Sequence, residues 1–79
     1  MTLKILTPTQ SRTVSDAAAV FLPGSAGAFE VLRDHAPLIS TLSEGKVRWR
    51  SASGEEESFA VKSGAVMVRD NEITVCAEV

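Results

Sequence analysis

Residues 46–61 read KVRWRSASGEEESFAV, and the alternation of side chains in this stretch decides the fold class. Val47 and Trp49 are apolar and alternate with three basic residues, Lys46, Arg48 and Arg50. In an extended segment this spacing puts the apolar side chains on one face and the charged ones on the other. Ser53-Gly54 is a turn signal, and Glu56–Val61 follows it as a second extended segment. The stretch therefore predicts an antiparallel β-hairpin with one buried face.

The same spacing of two recurs along the rest of the chain, and short turn signals separate the segments that carry it. The turn signals are Pro8, Pro23-Gly24, Glu44-Gly45, Ser53-Gly54, Ser63-Gly64 and Asp70-Asn71. We predict strands at Leu3–Thr7, Arg12–Ser15, Ala17–Leu22, Ala28–Leu32, Leu38–Leu42, Lys46–Arg50, Glu56–Val61, Ala65–Arg69 and Glu72–Ala77. Short strands with frequent turns are typical of an antiparallel sandwich or barrel, so the predicted fold class is all-β.

The alanine run at residues 17–19 is the strongest local helix signal in the chain. It continues directly into Val20-Phe21-Leu22 and then meets Pro23-Gly24, which leaves no room for a second helical turn. We therefore predict a strand at this position and no long helix anywhere in the chain.

Length and composition limit the chain to few kinds of chemistry. It has 79 residues, 44% of them hydrophobic, which suits one core, so we predict one domain over residues 1–79. The net charge of −2 comes from interspersed charges of both signs, which argues against a general binder of nucleic acid or anionic membranes. Cys76 is the only cysteine and His35 the only histidine, so neither an internal disulfide nor a Cys/His zinc site is available. We expect Cys76 to be an inert, partly buried thiol, and we expect no metal and no cofactor.

Catalytic and nucleic-acid chemistry each have one weak candidate. His35 lies beside Asp34, but a Ser-His-Asp arrangement needs one of many serines, and no Gly-x-Ser-x-Gly elbow or phosphate-binding glycine loop is present. Trp49 is the only candidate platform for stacking bases, and its alternation with arginines places it on the opposite, buried face. We therefore expect no catalysis by the chain itself.

A second stretch, residues 21–42, reads FLPGSAGAFEVLRDHAPLISTL. It contains a Leu-Pro-Gly-x-x-Gly turn at 22–27, a short hydrophobic strand, and then His-Ala-Pro-Leu at 35–38. This combination resembles the N-terminal domain of the epsilon subunit of bacterial rotary ATP synthases. The resemblance covers the whole chain, because matching segments flank the stretch at residues 3–8, 44–48, 61–68 and 73–77.

The resemblance implies a flattened antiparallel β-sandwich of about ten short strands with no active site of its own. Such domains bind the gamma subunit along one side and the c-subunit ring at one end, so that proton-driven rotation of the ring reaches the catalytic head. This role implies a peripheral position on the cytoplasmic face of the bacterial plasma membrane. Most family members continue into two C-terminal helices that inhibit ATP hydrolysis or bind ATP. This chain stops at Val79, so we expect no C-terminal helical hairpin here, and the sequence leaves open whether the natural subunit is this short.

Matched residue by residue, the resemblance assigns the gamma-subunit contacts to Thr7, His35 and Ser40. It assigns the c-ring contacts to a turn of four residues, Ser25, Ala26, Gly27 and Ala28. Two departures from the family pattern affect these assignments. The acidic residue that the family commonly places in that turn is Ala28 here, with Glu30 as the candidate replacement, and the Pro-Gly before the histidine is Arg33-Asp34.

Alternatives stay open at this point. His35 either contacts the gamma subunit or pins its own loop, where Pro37 keeps the backbone extended. The basic side chains of residues 46–50 form either a solvated face balanced by Glu55–Glu57 or a partner surface. The alternative function is a freestanding small β-barrel that binds a ligand or single-stranded nucleic acid, for which these basic residues would be required. An enzyme that uses His35 as its base ranks third.

Overall fold

The computed structural model describes residues 1–79 and contains nine strands and no helix. The strands are β1 (Thr2–Leu6), β2 (Ser11–Val14), β3 (Ala17–Leu22), β4 (Phe29–Leu32), β5 (Leu38–Leu42), β6 (Gly45–Ser51), β7 (Glu56–Val61), β8 (Ser63–Arg69) and β9 (Glu72–Glu78). All nine predicted strands are confirmed within two residues at each end, including the strand over the alanine run. No helix is long and apolar enough to cross a membrane.

The strands form two sheets that pack face to face as a sandwich. One sheet has five strands in the order β2-β1-β9-β8-β5, and the other has four in the order β4-β3-β6-β7. Neighbouring strands are antiparallel with one exception, since β1 runs parallel to β9 with Leu3 opposite Ile73. The predicted all-β sandwich is confirmed, and this one parallel pair departs from its antiparallel pattern. The first and last strands share no connecting hairpin, so no turn imposes an antiparallel direction on them.

The core lies between the sheets and comes from the inward half of each alternation. Fifteen buried residues form one hydrophobic cluster, which includes Trp49 and Val47 of β6 with 1% and 0% of their surface exposed. The prediction that Trp49 points away from the arginines is confirmed. The molecule measures 28 × 24 × 17 Å, which matches the flattened shape that the resemblance implies.

The charges of the β6–β7 hairpin pair differently from the expected arrangement. Arg50 lies opposite Glu56 in the register, but no ion pair joins any basic residue of β6 to Glu55–Glu57. Glu57 instead accepts a 2.8 Å hydrogen bond from Arg12 of β2, whose guanidinium carbon lies 5.1 Å from the centre of the Trp49 ring. These charges therefore cover the open side of the sandwich between the edge strands β2 and β7.

Two local predictions need correction. Ser63-Gly64 lies inside β8 and not in a turn. Glycine stands at position 64 because a side chain there would collide with the Cys76 carbonyl oxygen of the adjacent strand. Cys76 is exposed and not partly buried, since its neighbours Val75 and Ala77 take the inward positions of β9. The Asp70-Asn71 turn signal is confirmed, and both of its residues have positive φ, as a tight hairpin turn requires.

Candidate partner-binding surfaces

The loops of the sandwich gather at two opposite ends. We call the "turn end" the one that holds residues 7–10, 23–28 and 43–44, where Gly24 bridges Leu42 and the Ser43 N–H donates to the Pro23 carbonyl. We call the "His35 end" the one that holds residues 15–16, 33–37, 52–55 and 70–71. The register of the five-stranded sheet separates them, because Leu6, Cys76, Ala65 and Thr41 form one row near the turn end.

The predicted ring-facing turn, residues 25–28, lies at the turn end, and all four of its residues are exposed. Its base is fixed by short hydrogen bonds. The Ser25 N–H donates to the Thr41 carbonyl at 2.9 Å, the Thr41 hydroxyl donates to the Ser25 hydroxyl at 2.9 Å, and the Gly27 N–H donates to the Gly24 carbonyl at 3.0 Å. Gly27 has φ of 136°, which favours glycine. The turn is thus held by the edge strand β5.

Glu30 lies on β4 close to this turn. It is exposed and pairs in register with Phe21, whose ring lies 4.8 Å from the guanidinium carbon of Arg48. Ala28, Glu30, Lys46 and Arg48 line one shallow groove. The structure therefore places the carboxylate of Glu30 in the same groove as Ala28, beside two cations.

His35 is half-buried in the loop between β4 and β5, and its contacts are local. Its backbone N–H donates to the Leu32 carbonyl at 3.2 Å, and its ring Nδ1 lies 2.6 Å from the Ala36 carbonyl oxygen. A carbonyl oxygen only accepts, so Nδ1 carries the proton in this contact. The ring contact therefore stays within the loop, with the adjacent residue, and Nε2 is the nitrogen left for a partner.

Thr7 and Ser40 also use their hydroxyl groups within the chain. Thr7 Oγ1 donates to the Gln10 carbonyl and accepts from the Gln10 N–H, each at 3.1 Å. Ser40 Oγ donates to the Thr41 carbonyl at 3.0 Å, and Ser40 lies opposite the buried Val66, so it occupies an inward position of β5. Thr7 is at the turn end and His35 at the opposite end. The structure does not bring the three predicted gamma-subunit contacts into one cluster.

Two features escaped the sequence reasoning. The first is an apolar stripe on the outer face of the five-stranded sheet, formed by Ile39 and Met67, which expose 78% and 47% of their surface. Leu6, 41% exposed, lies on the same face but on β1, which β9 separates from β8. Ile39 and Met67 are direct cross-strand neighbours. The adjacent apolar pair Leu38-Ile39 was the available signal, because only one of two consecutive strand residues can face the core. The second is Asn71, whose side chain bonds to Asp34 of the His35 loop.

The sequence matches the family model described as "ATP synthase, Delta/Epsilon chain, beta-sandwich domain" over residues 1–79. The chain belongs to this delta/epsilon family. The curated relatives support the same assignment. The "ATP synthase epsilon chain" of Desulfitobacterium hafniense is 36% identical over 77 residues, which cover 98% of this chain and 58% of that protein. The "ATP synthase epsilon chain" of Chlorobium limicola is 33% identical over 76 residues, which cover 96% of this chain and 86% of that protein.

Solved structures show that this epsilon-family chain shares its fold with distant proteins. It superposes with a TM-score of 0.84 on a chain of the Tetrahymena thermophila mitochondrial ATP synthase central stalk and c-ring, at 15% identity over 100% of this chain and 63% of that one. It superposes with a TM-score of 0.87 on a chain of the Euglena gracilis mitochondrial ATP synthase, at 17% identity over 95% of this chain and 48% of that one. The chain spans 58% of the length of the first curated relatives.

Proposed function

We propose that this chain is a non-catalytic rotor subunit of a proton-translocating bacterial ATP synthase, where it binds the gamma subunit and the c-ring and couples ring rotation to ATP synthesis. The observation that carries this proposal is the match to the delta/epsilon β-sandwich family over all 79 residues. The fold of the chain agrees with it, since one superposed chain comes from a central stalk and c-ring assembly. In this role the chain lies peripherally on the cytoplasmic face of the membrane, through its complex.

The turn end is the surface that we assign to the c-ring. A contact that transmits torque must keep its shape, and the turn of residues 25–28 has its base bonded to β5 on one side and closed by Gly24 on the other. The turn offers small exposed side chains, so a partner loop can approach its backbone closely. Glu30 supplies a carboxylate near the turn, because it lines the same groove as Ala28, together with Lys46 and Arg48.

The side of the molecule formed by the five-stranded sheet and the His35 loop is the surface that we assign to the gamma subunit. Contiguous exposed apolar side chains mark protein-protein contacts, and Ile39 and Met67 form such a pair on the outer face of β5 and β8. His35 lies in the loop that leads into β5, so it is the predicted contact that we group with this pair. Ser40 faces inward on β5 and Thr7 lies at the turn end, so neither belongs to this outer surface.

Co-purification with a tagged gamma subunit from the source organism tests this function. We expect the chain to be retained with the gamma subunit. We expect His35→Ala to weaken retention about tenfold, because the gamma subunit loses its hydrogen-bond partner His35 Nε2. Ser58→Ala is the matched control, since Ser58 is exposed on β7 of the four-stranded sheet, outside the proposed contacts.

Failure of the unmodified chain to associate with the gamma subunit contradicts the proposed function. Retention of the His35→Ala variant at wild-type affinity contradicts only the assignment of His35 as a contact, and leaves its local bond to Ala36 as its role. Measurable turnover that His35→Ala abolishes contradicts the non-catalytic assignment.

A further inference from the structure

The His35 loop, residues 33–37, is tied to the turn between β8 and β9 by a reciprocal pair of hydrogen bonds. The backbone N–H of Asp34 donates to Asn71 Oδ1 at 2.7 Å, and Asn71 Nδ2 donates to Asp34 Oδ1 at 3.0 Å. The two residues are 37 positions apart in the sequence. The carboxamide of Asn71 thus offers its acceptor to the backbone and its donor to the carboxylate, and we call this pair the "clasp".

Both residues of the clasp have a backbone conformation that is unfavourable for residues with a side chain. Asp34 has φ of 64° and Asn71 has φ of 61°, and Asp70 is the only other residue besides glycine with positive φ. Aspartate and asparagine tolerate this region better than other residues but less well than glycine. Asp34 stands where the family resemblance places a glycine. The clasp is a contact that offsets the cost of this conformation at Asp34.

We propose that Asn71 is the positioning residue of the His35 loop: its side chain holds Asp34 in the left-handed conformation and so fixes the direction in which His35 is presented. The effect on gamma-subunit binding rests on the proposed function, whereas the effect on the loop does not. Asn71 is suited to this role because its own backbone is anchored, with its carbonyl oxygen accepting from the Thr2 N–H at 3.0 Å. These hydrogen bonds therefore attach the loop to the five-stranded sheet.

The clasp acts directly on His35 because Asp34, one of its two residues, immediately precedes His35 in the chain. Beyond Asp34, the loop contacts described above are the bond from the His35 N–H to the Leu32 carbonyl, at 3.2 Å, and the ring contact with the Ala36 carbonyl. Both are short-range bonds that would follow the loop if it moved. Among the hydrogen bonds of this loop, only the clasp connects it to the turn between β8 and β9, so the clasp fixes the position from which the imidazole Nε2 is presented.

Four variants test this proposal: two glycine substitutions, one charge substitution and one double variant. Asn71→Gly removes the side chain and keeps a residue that accepts positive φ, so backbone strain does not confuse the result. Asp70→Gly is the matched control, because Asp70 lies in the same turn with φ of 50° and its side chain pairs only with the exposed Arg69. Asn71→Asp places a carboxylate against the Asp34 carboxylate. In the double variant Asp34→Asn with Asn71→Asp, the backbone N–H of residue 34 still donates to a side-chain oxygen of residue 71, and the side-chain bond is restored with its donor and acceptor exchanged.

The measurement is amide hydrogen exchange of His35 in the 79-residue chain, followed by NMR. We expect exchange about tenfold faster in Asn71→Gly and in Asn71→Asp, because opening of the loop becomes easier without the clasp. Asp70→Gly should stay within about twofold of the wild type, and the double variant should return toward the wild-type rate. Unchanged exchange in Asn71→Gly, or no recovery in the double variant, would overturn the proposal.

Affinity for the gamma subunit, measured on the same variants, separates this proposal from the proposed function. If His35 is a contact, Asn71→Gly should weaken binding in parallel with His35→Ala, and the double variant should recover it. If exchange at His35 responds as expected while His35→Ala binds normally, the clasp is supported and the contact assignment of His35 fails.

Discussion

Gly24 is the residue on which the candidate ring-facing turn depends most. A side chain carbon at this position would lie 2.6 Å from the Gly27 carbonyl oxygen and 2.8 Å from the ring of Phe29. Its φ is not in the left-handed region, so the requirement here is for space. Gly24 is also buried and bridges Leu42, which fixes the start of the turn on the edge of the other sheet. A bulkier residue must therefore displace either the turn or Phe29.

Replacement of Gly24 by alanine is expected to lower the free energy of unfolding by about 1–3 kcal/mol, because the added methyl group has no space. Urea denaturation of the 79-residue chain measures this change. The control is Ala26→Gly in the same turn, where the side chain is exposed and the effect should be about 0.5–1 kcal/mol at most. Equal stability of Gly24→Ala and the wild type would show that the turn is not closed by this packing.

At the residue scale, the sequence predicted local structure well where a residue type is typical of one kind of structure, as Pro-Gly is of a turn. The Leu-Pro-Gly-x-x-Gly pattern located a turn, and the position of Gly24 shows why glycine is needed there. The clasp between Asp34 and Asn71 was not predictable, because its partners are 37 residues apart and either side chain suits a solvated turn. The same holds for Arg12 and Glu57, which meet only because β2 and β7 lie at the same side of the sandwich.

Among the elements, β5 is the strand whose residues have the most clearly different roles. It is an edge strand of the five-stranded sheet, and it holds the candidate ring-facing turn through Thr41. Its inward residue Leu42 is 3% exposed, whereas its outward residue Ile39 is 78% exposed and is the most exposed large apolar side chain in the chain. One strand therefore combines a core position, an anchor for the turn and a candidate contact surface.

Serine substitutions on the two faces of β5 should affect different properties, binding for the outward residue and stability for the inward one. Ile39→Ser is expected to leave stability within about 0.5 kcal/mol and to weaken binding to the gamma subunit about tenfold, because it removes exposed apolar surface. Leu42→Ser should cost about 2–5 kcal/mol, enough to unfold a domain of this size. Urea denaturation and gamma-subunit retention together check both. Normal binding by Ile39→Ser would remove the apolar stripe from the proposed interface.

The strands themselves were predictable because each carries a strict alternation, and the two ends of a strand are usually marked by a turn residue. The direction of the β1–β9 pair was not, since no hairpin joins the first and last strands. Gly64 shows a second limit. Gly and Ser together indicate a turn, but in β8 glycine is required because the β9 backbone lies too close for a side chain. This closeness arises only in the assembled sheet.

The whole molecule is a thin two-sheet body of 28 × 24 × 17 Å with distinct surfaces at its turn end and on its five-stranded side. A protein that couples two partners needs two such surfaces held in a fixed relation. The sandwich provides this relation, because the core cluster spans both sheets and leaves the ends to the loops. The family could be recognised from residues 21–42, but which side chains share a surface became clear only from the strand register.

Site-specific cross-linking in the assembled ATP synthase tests this division most directly. Photoreactive amino acids replace Ala28 at the turn end and Ile39 on the five-stranded side, and the products are identified by mass spectrometry. We expect Ala28 to cross-link to the c-subunit and Ile39 to cross-link to the gamma subunit in the same complex. If both positions cross-link to one and the same subunit, or if an incorporated chain cross-links to neither, the proposed coupling of ring and gamma subunit through this molecule is wrong.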